Sequence, residues 1–113
     1  HAVRPVVAAL NGEDWSQKNV KPTNASGIAV SKPPRLAEMI EAIESTGGSG
    51  ITVSEKSLTD WQHQLASNEG IFAEMTSAAA FAGLEKLIKS GVIDKDSNVC
   101  VPITGSGLKE PLN

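Results

Sequence analysis

The amino-acid sequence predicts an α/β fold, with a partial three-layer sheet and flanking helices. An apolar run at residues 99–103 breaks directly into Thr104 and a two-glycine turn, as a buried strand does at the carboxyl edge of a parallel sheet. A short alternating run at residues 50–53 leads straight into a helical pattern, and other segments repeat apolar residues at helical spacing. The 113 residues amount to one domain at most.

The first half of the chain predicts two helices joined by a long polar loop. Residues 2–10 form an apolar-faced helical pattern that tolerates one proline near its start and closes at Gly12. Residues 13–31 are polar and aperiodic, which favours a functional loop because structureless stretches of this length are uncommon inside a compact domain. A second helix follows the proline pair at residues 33–34 and stops at two glycines, and its apolar face consists of Leu36, Met39, Ile40 and Ile43.

The middle of the chain has the strand-then-helix order of an α/β protein. Residues 50–53 alternate like a short strand. Ser54 follows as a plausible N-cap, since its hydroxyl can accept a hydrogen bond from a free amide in the first helical turn. The apolar stripe of the helix that it opens consists of Leu58, Trp61 and Leu65.

The last third predicts one more long helix and a final strand. Residues 71–73 form a brief extended run, and Thr76 or Ser77 is expected to cap the helix, which ends at Gly91. A polar turn at residues 94–98 separates this helix from the final strand. Small residues make the first half of the helix thin, so it can lie close to a neighbour; they are Ala78, Ala79, Ala80, Ala82 and Gly83.

Two or three short strands against four helices do not complete a sheet. Their edges would present unpaired backbone groups, and the helix faces would stay apolar and uncovered. We therefore expect the chain to associate with a partner or with further copies of itself as a homo-oligomer.

Composition excludes several classes of function. The net charge is −3 with acids and bases interspersed, so the chain has neither the basic footprint of a nucleic-acid-binding protein nor a polybasic membrane anchor. No apolar run approaches the roughly 20 residues of a membrane span, and no signal peptide opens the chain. We expect a soluble, cytoplasmic protein. Because the sequence starts at His1 within an apolar pattern, a fragment or processed product is also expected.

Several reactive residue types give no site. Cys100 lies inside the apolar run, which predicts a small buried core residue, and a single cysteine excludes an internal disulfide. His1 and His63 are too isolated to predict a metal site. The chain contains no Gly-x-Ser-x-Gly nucleophile elbow, and its tail glycines do not complete a dinucleotide fingerprint.

Glu74 and the tail glycines are the candidates that the residues themselves suggest. Glu74 stands between an apolar run and a helix N-terminus, where the helix dipole favours an anion. Its carboxylate could simply stabilise the helix, or it could lie beside a ligand, and the sequence leaves both interpretations open. Gly105 and Gly107 would let the backbone approach a ligand, or would only make a turn.

Two motifs in the second half of the chain occur together in a fixed order. Residues 69–79 read acidic-Gly-Ile-Phe-x-Glu-x-Thr-Ser-Ala-Ala, and residues 104–111 read Thr-Gly-x-Gly-Leu-Lys-acidic-Pro. With residues 23–55, these motifs resemble the C-terminal part of the tryptophan-synthase-β-like (fold type II) enzymes that use pyridoxal phosphate, most of all the threonine synthases. Met75 is a departure, because these enzymes usually have proline there.

The resemblance implies a set of cofactor-binding residues. It implies that the hydroxyl of Thr104 hydrogen-bonds the pyridine nitrogen of pyridoxal phosphate, with Gly105 beside it. It places Glu74 near the cofactor ring, and it matches Ala25, Ser26 and Gly27 to the loop that faces the ring. A neutral hydroxyl does not hold the nitrogen protonated as a carboxylate would, which suits elimination and replacement chemistry at an amino acid.

The resemblance also shows what this chain lacks. These enzymes carry the Schiff-base lysine and the glycine-rich phosphate cup in the half that precedes the matched segment, and nothing in this sequence matches either. No lysine here has the apolar setting that depresses a lysine pKa. We therefore expect residues 1–113 to be the C-terminal part of a catalytic domain that needs the missing N-terminal half, with no catalytic residue of its own and no activity alone.

The implied reaction converts O-phosphohomoserine and water to threonine and phosphate, with a small amino acid as substrate. Within the class, the alternatives are another lyase or β-replacement enzyme, such as threonine dehydratase or cysteate synthase. From a different class, the alternative is a non-catalytic module that keeps the fold.

Overall fold

A computed structural model describes residues 5–14 and 22–110. The helices of these residues are α1 (Pro5–Leu10), α2 (Leu36–Ser45), α3 (Glu55–Glu69) and α4 (Met75–Lys89), with short 3-10 turns at Ser26–Ile28 and Gly107–Lys109. The expected start of the first helix at Ala2, part of the long polar loop and His1 lie outside the described residues.

The helices predicted from apolar spacing are confirmed. Gly12, just after α1, has a φ of 70°, and α2 begins two residues after the proline pair and ends before the glycines. Ser54 caps α3 as expected, since its hydroxyl accepts a hydrogen bond from the Ser57 amide at 3.2 Å. At the other end of α3, Gly70 takes the left-handed conformation with a φ of 68°, which a residue with a side chain rarely adopts.

The core lies between α3 and α4 and is closed by the loop before α2. Its buried members are Ala25, Leu58, Met75 and Ala82, with Val53, Trp61 and Ala79 packed against them. The rings of Trp61 and Phe81 stack at a centroid distance of 5.8 Å, and the Trp61 indole N–H donates to Glu85 at 2.8 Å. These contacts fix α3 against α4.

The small residues of α4 allow close packing, as predicted. Ala78 and Ala82 are buried, and Gly83 faces the segment that precedes α3. A Cβ atom built on Gly83 would lie 3.3 Å from the Ile51 Cγ2 atom, so a larger side chain would push this segment away.

The predicted strands have no ladder among the described residues. Residues 50–53 and 99–103 carry no regular secondary structure, and residue 73 makes only an isolated antiparallel bridge with Ser106. A strand needs a neighbour to satisfy its backbone N–H and C=O groups, and the described part of the chain supplies none for these segments. The sheet therefore stays a prediction.

Two local predictions are wrong. Cys100 is exposed rather than buried, because no described segment packs over the run at residues 99–103, where Val99 and Ile103 are also 44% and 40% exposed. Thr76 and Ser77 do not cap α4. The N-cap is Glu74, and both hydroxyl residues lie in the first helical turn, where their side chains bond to other segments.

The polar turn after α4 is confirmed, with the Ser97 amide donating to the Asp94 carbonyl at 3.0 Å. None of the helices in the described residues is long and apolar enough to cross a membrane.

Candidate functional site

The N-terminal end of α4 is the place where the site residues predicted from sequence come together. Three segments meet there: the loop of Ala25, Ser26 and Gly27, the start of α4 with Glu74, and the tail with Thr104 and Gly105. Each segment contacts α4 or its N-cap through specific hydrogen bonds, which the following paragraphs describe.

The tail is held to the start of α4 by backbone hydrogen bonds. The Glu74 amide donates to the Gly105 carbonyl at 3.0 Å, and the Gly107 amide donates to the Phe72 carbonyl at 2.8 Å. The Gln62 side-chain amide, buried in α3, donates to the Ala73 carbonyl at 2.8 Å. The backbone on both sides of Glu74 is therefore fixed before any ligand binds.

The Glu74 carboxylate is buried and paired with a lysine of the tail. Lys109 Nζ lies 2.8 Å from Glu74 Oε2, and the side-chain exposures are 57% for the lysine and 7% for the glutamate. The hydrogen bond to Glu74 raises the pKa of the Lys109 ammonium above its usual value, so this lysine stays protonated at neutral pH.

Gly105 leaves room for the Glu74 carboxylate beside the tail. A Cβ atom on residue 105 would lie 2.1 Å from Glu74 Oε1 and 2.9 Å from Lys109 Nζ. A side chain at residue 105 would therefore have to displace the charged ends of Glu74 and Lys109.

Thr104 is bonded to Ser77 through both its backbone and its side chain. The Thr104 amide donates to Ser77 Oγ at 3.0 Å, and the two hydroxyl oxygens lie 3.1 Å apart. Ser77 is 3% exposed, whereas Thr104 is exposed. The Thr104 hydroxyl is thus held on one side by Ser77 of α4, while the residue remains exposed on its other side.

The loop before α2 is fastened to the same helix end. The Gly27 amide donates to Thr76 Oγ1 at 3.0 Å, and the Ser26 hydroxyl donates to Glu110 Oε1 at 2.7 Å. The other oxygen of Glu110 accepts from the Met75 amide at 3.4 Å. Ala25 is 1% exposed and belongs to the core rather than to the open face of the site.

Sequence reasoning missed four residues of this arrangement. The sequence pattern predicts Thr76 or Ser77 as a helix cap, and it marks Lys109 and Glu110 only as part of a motif. Hydroxyl residues in a first helical turn can cap the helix or bond elsewhere, and the sequence alone does not distinguish the two. The sequence offered one signal for these contacts: a lysine and an acidic residue, Lys109 and Glu110, follow the glycine turn.

The described residues contain no cluster of three or more histidine, cysteine or acidic side chains that could hold a metal ion. His63 is exposed on α3. The polar groups at the end of α4 are hydroxyls, backbone amides and the ion pair between the buried Glu74 and the exposed Lys109.

Comparison with known proteins decides the family. A family model described as "Pyridoxal-phosphate dependent enzyme" matches residues 1–105, which is nearly the whole chain. The chain belongs to this family of pyridoxal-phosphate-dependent enzymes. The resemblance inferred from the two motifs is confirmed, and so is pyridoxal phosphate as the cofactor of the family. Membership also places the chain in the α/β class, although the described residues show only its helical part.

Curated relatives of the chain include threonine synthases. That of Methanocaldococcus jannaschii is 39% identical over 110 residues, covering 96% of this chain. Those of Methanosarcina acetivorans and Halalkalibacterium halodurans are each 38% identical over 89 residues, or 79% of this chain. The aligned segments make up 27%, 22% and 25% of these three relatives. This chain therefore spans about a quarter of the length of the threonine synthases that it matches.

Proposed function

We propose that this chain is the C-terminal part of a threonine synthase-like enzyme, which converts O-phosphohomoserine and water to threonine and phosphate. The observation that carries the proposal is the convergence of Thr104, Gly105, Glu74 and the loop at residues 25–27 on one helix end, in a chain of the pyridoxal-phosphate family. Identity of 38–39% to three threonine synthases supports this reaction within the family.

The residues at the end of α4 fit a pyridine ring. Thr104 is exposed and presents a neutral hydroxyl from a fixed backbone, which suits a hydrogen bond to a ring nitrogen. Gly105 adds no side chain, and the loop with Ser26 and Gly27 is held in place by Glu110 and Thr76. In this proposal Thr104 holds the nitrogen end of the ring, and the loop lies beside its face.

The electrostatics of the site suit a ring nitrogen that carries no proton. When bound, pyridoxal phosphate withdraws electrons from the amino-acid substrate and so makes elimination and replacement possible. The nearby Glu74 carboxylate is neutralised by Lys109, so the charged pair does not act as a lone anion that would favour a pyridinium. Thr104 can then set the protonation of the ring nitrogen by hydrogen bonding alone.

The lysine that attaches the cofactor belongs, in this proposal, to the N-terminal part of the enzyme. Such a lysine must lose its proton easily, yet the pKa of Lys109, the lysine at the site, is raised. Lys109 is therefore suited to pairing with Glu74 and unsuited to bonding the cofactor. The partners that we propose are a small amino-acid substrate, the N-terminal part of the enzyme and further copies of the enzyme. We also propose that the enzyme is located in the cytoplasm.

The proposal is tested by assaying the complete enzyme with O-phosphohomoserine. We expect threonine and inorganic phosphate in equal amounts, and incorporation of oxygen from labelled water into the threonine side chain. Formation of a 2-oxo acid and ammonia from threonine, without phosphate release from O-phosphohomoserine, would instead identify a dehydratase. A complete enzyme that binds no pyridoxal phosphate would contradict the proposal and favour a non-catalytic module.

A further inference from the structure

Ser77 is a buried hydroxyl whose role is not explained by capping α4. It lies in the first turn of α4 and is 3% exposed. Its oxygen accepts a hydrogen bond from the Thr104 amide at 3.0 Å and lies 3.1 Å from the Thr104 hydroxyl oxygen. One side-chain atom thus contacts both polar groups of the residue that would meet the cofactor.

The direction of the bond between the two hydroxyls follows from their burial. Each hydroxyl has one proton to donate. If Thr104 donated to Ser77, the proton of Ser77 would need another acceptor in a place without access to water, and the described contacts of its oxygen are with Thr104 only. A buried hydroxyl without an acceptor costs more than an exposed one, because the exposed hydroxyl can turn to water.

We propose that the Ser77 hydroxyl donates to Thr104 Oγ1 and thereby leaves the Thr104 proton facing the open side, as a donor to an unprotonated ring nitrogen. Ser77 is then a positioning residue that acts through Thr104. The inference rests on the proposed function, since it assumes that a pyridine ring lies in front of Thr104.

The fold holds Ser77 rigidly enough for this role. Its neighbour Ala78 is buried, and the Glu74 amide next to this turn is tied to the tail at Gly105. Because Ser77 Oγ also accepts the Thr104 amide, the backbone of Thr104 cannot move without breaking a second hydrogen bond. A hydroxyl at residue 77 is the simplest group that can accept from the amide and donate to the hydroxyl at once.

The test uses the complete enzyme loaded with pyridoxal phosphate that carries ¹⁵N in the ring. The ¹⁵N chemical shift reports the protonation and hydrogen bonding of the ring nitrogen, and a titration gives the dissociation constant of the cofactor. The variants are Ser77→Ala, which removes the donor, and Ser77→Thr, which keeps it. Ser90→Ala is the control, since Ser90 is an exposed serine at the other end of α4.

We expect Ser77→Ala to move the ring-nitrogen shift and to weaken cofactor binding by several-fold to about tenfold, the effect of one hydrogen bond. Ser77→Thr should restore the shift, and Ser90→Ala should leave both quantities unchanged. A wild-type shift and affinity in Ser77→Ala would overturn the proposal.

The wild-type enzyme keeps the proposal testable if Ser77→Ala does not fold. Its ring nitrogen must show the shift of an unprotonated, hydrogen-bonded pyridine, and this shift must not change as the pH is lowered from mildly alkaline to mildly acid values. A protonated ring nitrogen in the wild-type enzyme overturns this inference alone. Failure of the wild-type enzyme to bind pyridoxal phosphate overturns the proposed function as well.

Discussion

At the residue scale, Thr104 and Lys109 contact the end of α4 in different ways. Thr104 presents an exposed hydroxyl that is fixed through Ser77, whereas Lys109 extends from the tail to neutralise a buried carboxylate. The first contact leaves a polar group available to a ligand, and the second removes the charge of Glu74 from the site. Substitutions of the two residues should therefore affect different measurements.

Substitution of Thr104 tests its contact with the cofactor in the complete enzyme. Thr104→Ser should keep most of the activity, since the donor and acceptor remain and only a methyl group is lost. Thr104→Val should weaken cofactor binding by about 1–3 kcal/mol, because the ring nitrogen of the bound cofactor is left without its hydrogen-bond partner. The cofactor spectrum and dissociation constant measure both effects. Wild-type values for Thr104→Val would mean that Thr104 has no contact with the ring.

Thr104→Asp should act on the electronics of the cofactor. A carboxylate at this position favours a protonated ring nitrogen, so the native turnover should fall while the cofactor still binds. The ring-nitrogen ¹⁵N shift and the turnover number check this expectation, and an unchanged shift would contradict it.

Substitution of Lys109 tests the ion pair with Glu74. Lys109→Met leaves the buried carboxylate without its partner and should lower the urea midpoint of unfolding. Lys109→Arg keeps a cation at this position, so its urea midpoint should stay close to that of the wild-type protein. The double variant Glu74→Gln/Lys109→Met should recover part of the loss, since no unpaired charge remains. If the loss of stability in the double variant equals the sum of the losses in Glu74→Gln and Lys109→Met, the two side chains are not coupled.

The pH dependence of the same pair has a definite sign. Because Glu74 raises the pKa of Lys109, the pair contributes its full stability below the ordinary lysine pKa of 10.5 and loses it as the pH rises through the higher folded value. The urea midpoint of the wild-type protein should therefore fall above about pH 10.5 more steeply than that of Lys109→Met. Parallel curves would contradict this expectation.

At the element scale, α4 receives its N-terminal hydrogen bonds from other segments. Its N-cap residue Glu74 makes no side-chain capping bond, and the Met75 amide instead donates to Glu110, thirty-five residues further along the chain. The same carboxylate accepts from Ser26, so one side chain ties the loop, the tail and the helix together. The start of α4 therefore depends on the tail.

Substitution of Glu110 tests this arrangement. Glu110→Ala should destabilise the protein by about 0.5–2 kcal/mol, the usual cost of a lost capping group, and should speed amide exchange at Gly27 and Met75. Glu110→Gln should have a smaller effect, because the amide oxygen can still accept one of the two bonds. Glu69→Ala, at the exposed end of α3, is the control. Equal exchange rates in Glu110→Ala and the control would show that the carboxylate does not hold the loop.

At the scale of the whole molecule, the described residues expose several large apolar side chains around a groove. A groove of about 560 Å³ opens between α1, α2 and the segment at residues 51–53. Several large apolar side chains on its rim and on the tail are at least 40% exposed, namely Ile28, Val30, Met39, Val99 and Ile103. Exposed apolar side chains around a groove favour an interaction surface.

The isolated chain should therefore self-associate, or bind the N-terminal part of the enzyme when that part is supplied. Val30→Ser and Met39→Ser should each weaken the association, because they remove apolar area from the groove, whereas Asn68→Ser on α3 should not. Sedimentation velocity measures the distribution of species. A compact monomer at all concentrations, alone and with the N-terminal part, would refute the expectation.

The isolated chain should also fail to attach the cofactor. No lysine of the sequence stands in an apolar stretch, and Lys109 is held protonated, so addition of pyridoxal phosphate followed by borohydride should label no specific position. Mass spectrometry of the digested product checks this. A single, fully labelled lysine would show that the chain carries its own attachment site.

The sequence by itself determined the helices, the ends of α2 and α3, and the family. Apolar spacing predicted α2 and α3, Ser54 and the glycines marked their boundaries, and two motifs indicated a pyridoxal-phosphate enzyme. These features depend on residues a few positions apart, where periodicity and capping act. The family resemblance that these motifs carry also implied the segments of the candidate site.

Only the tertiary structure decided how those segments bond to one another. The bonds of Thr104 with Ser77, of Lys109 with Glu74 and of Glu110 with Ser26 join residues 27 to 84 positions apart. A first-turn hydroxyl can cap its own helix or bind a distant segment with similar energy, so the path of the chain settles the choice. Cys100 was mistaken for a core residue for the same reason, because burial depends on which segment packs above it and not on the apolar run alone.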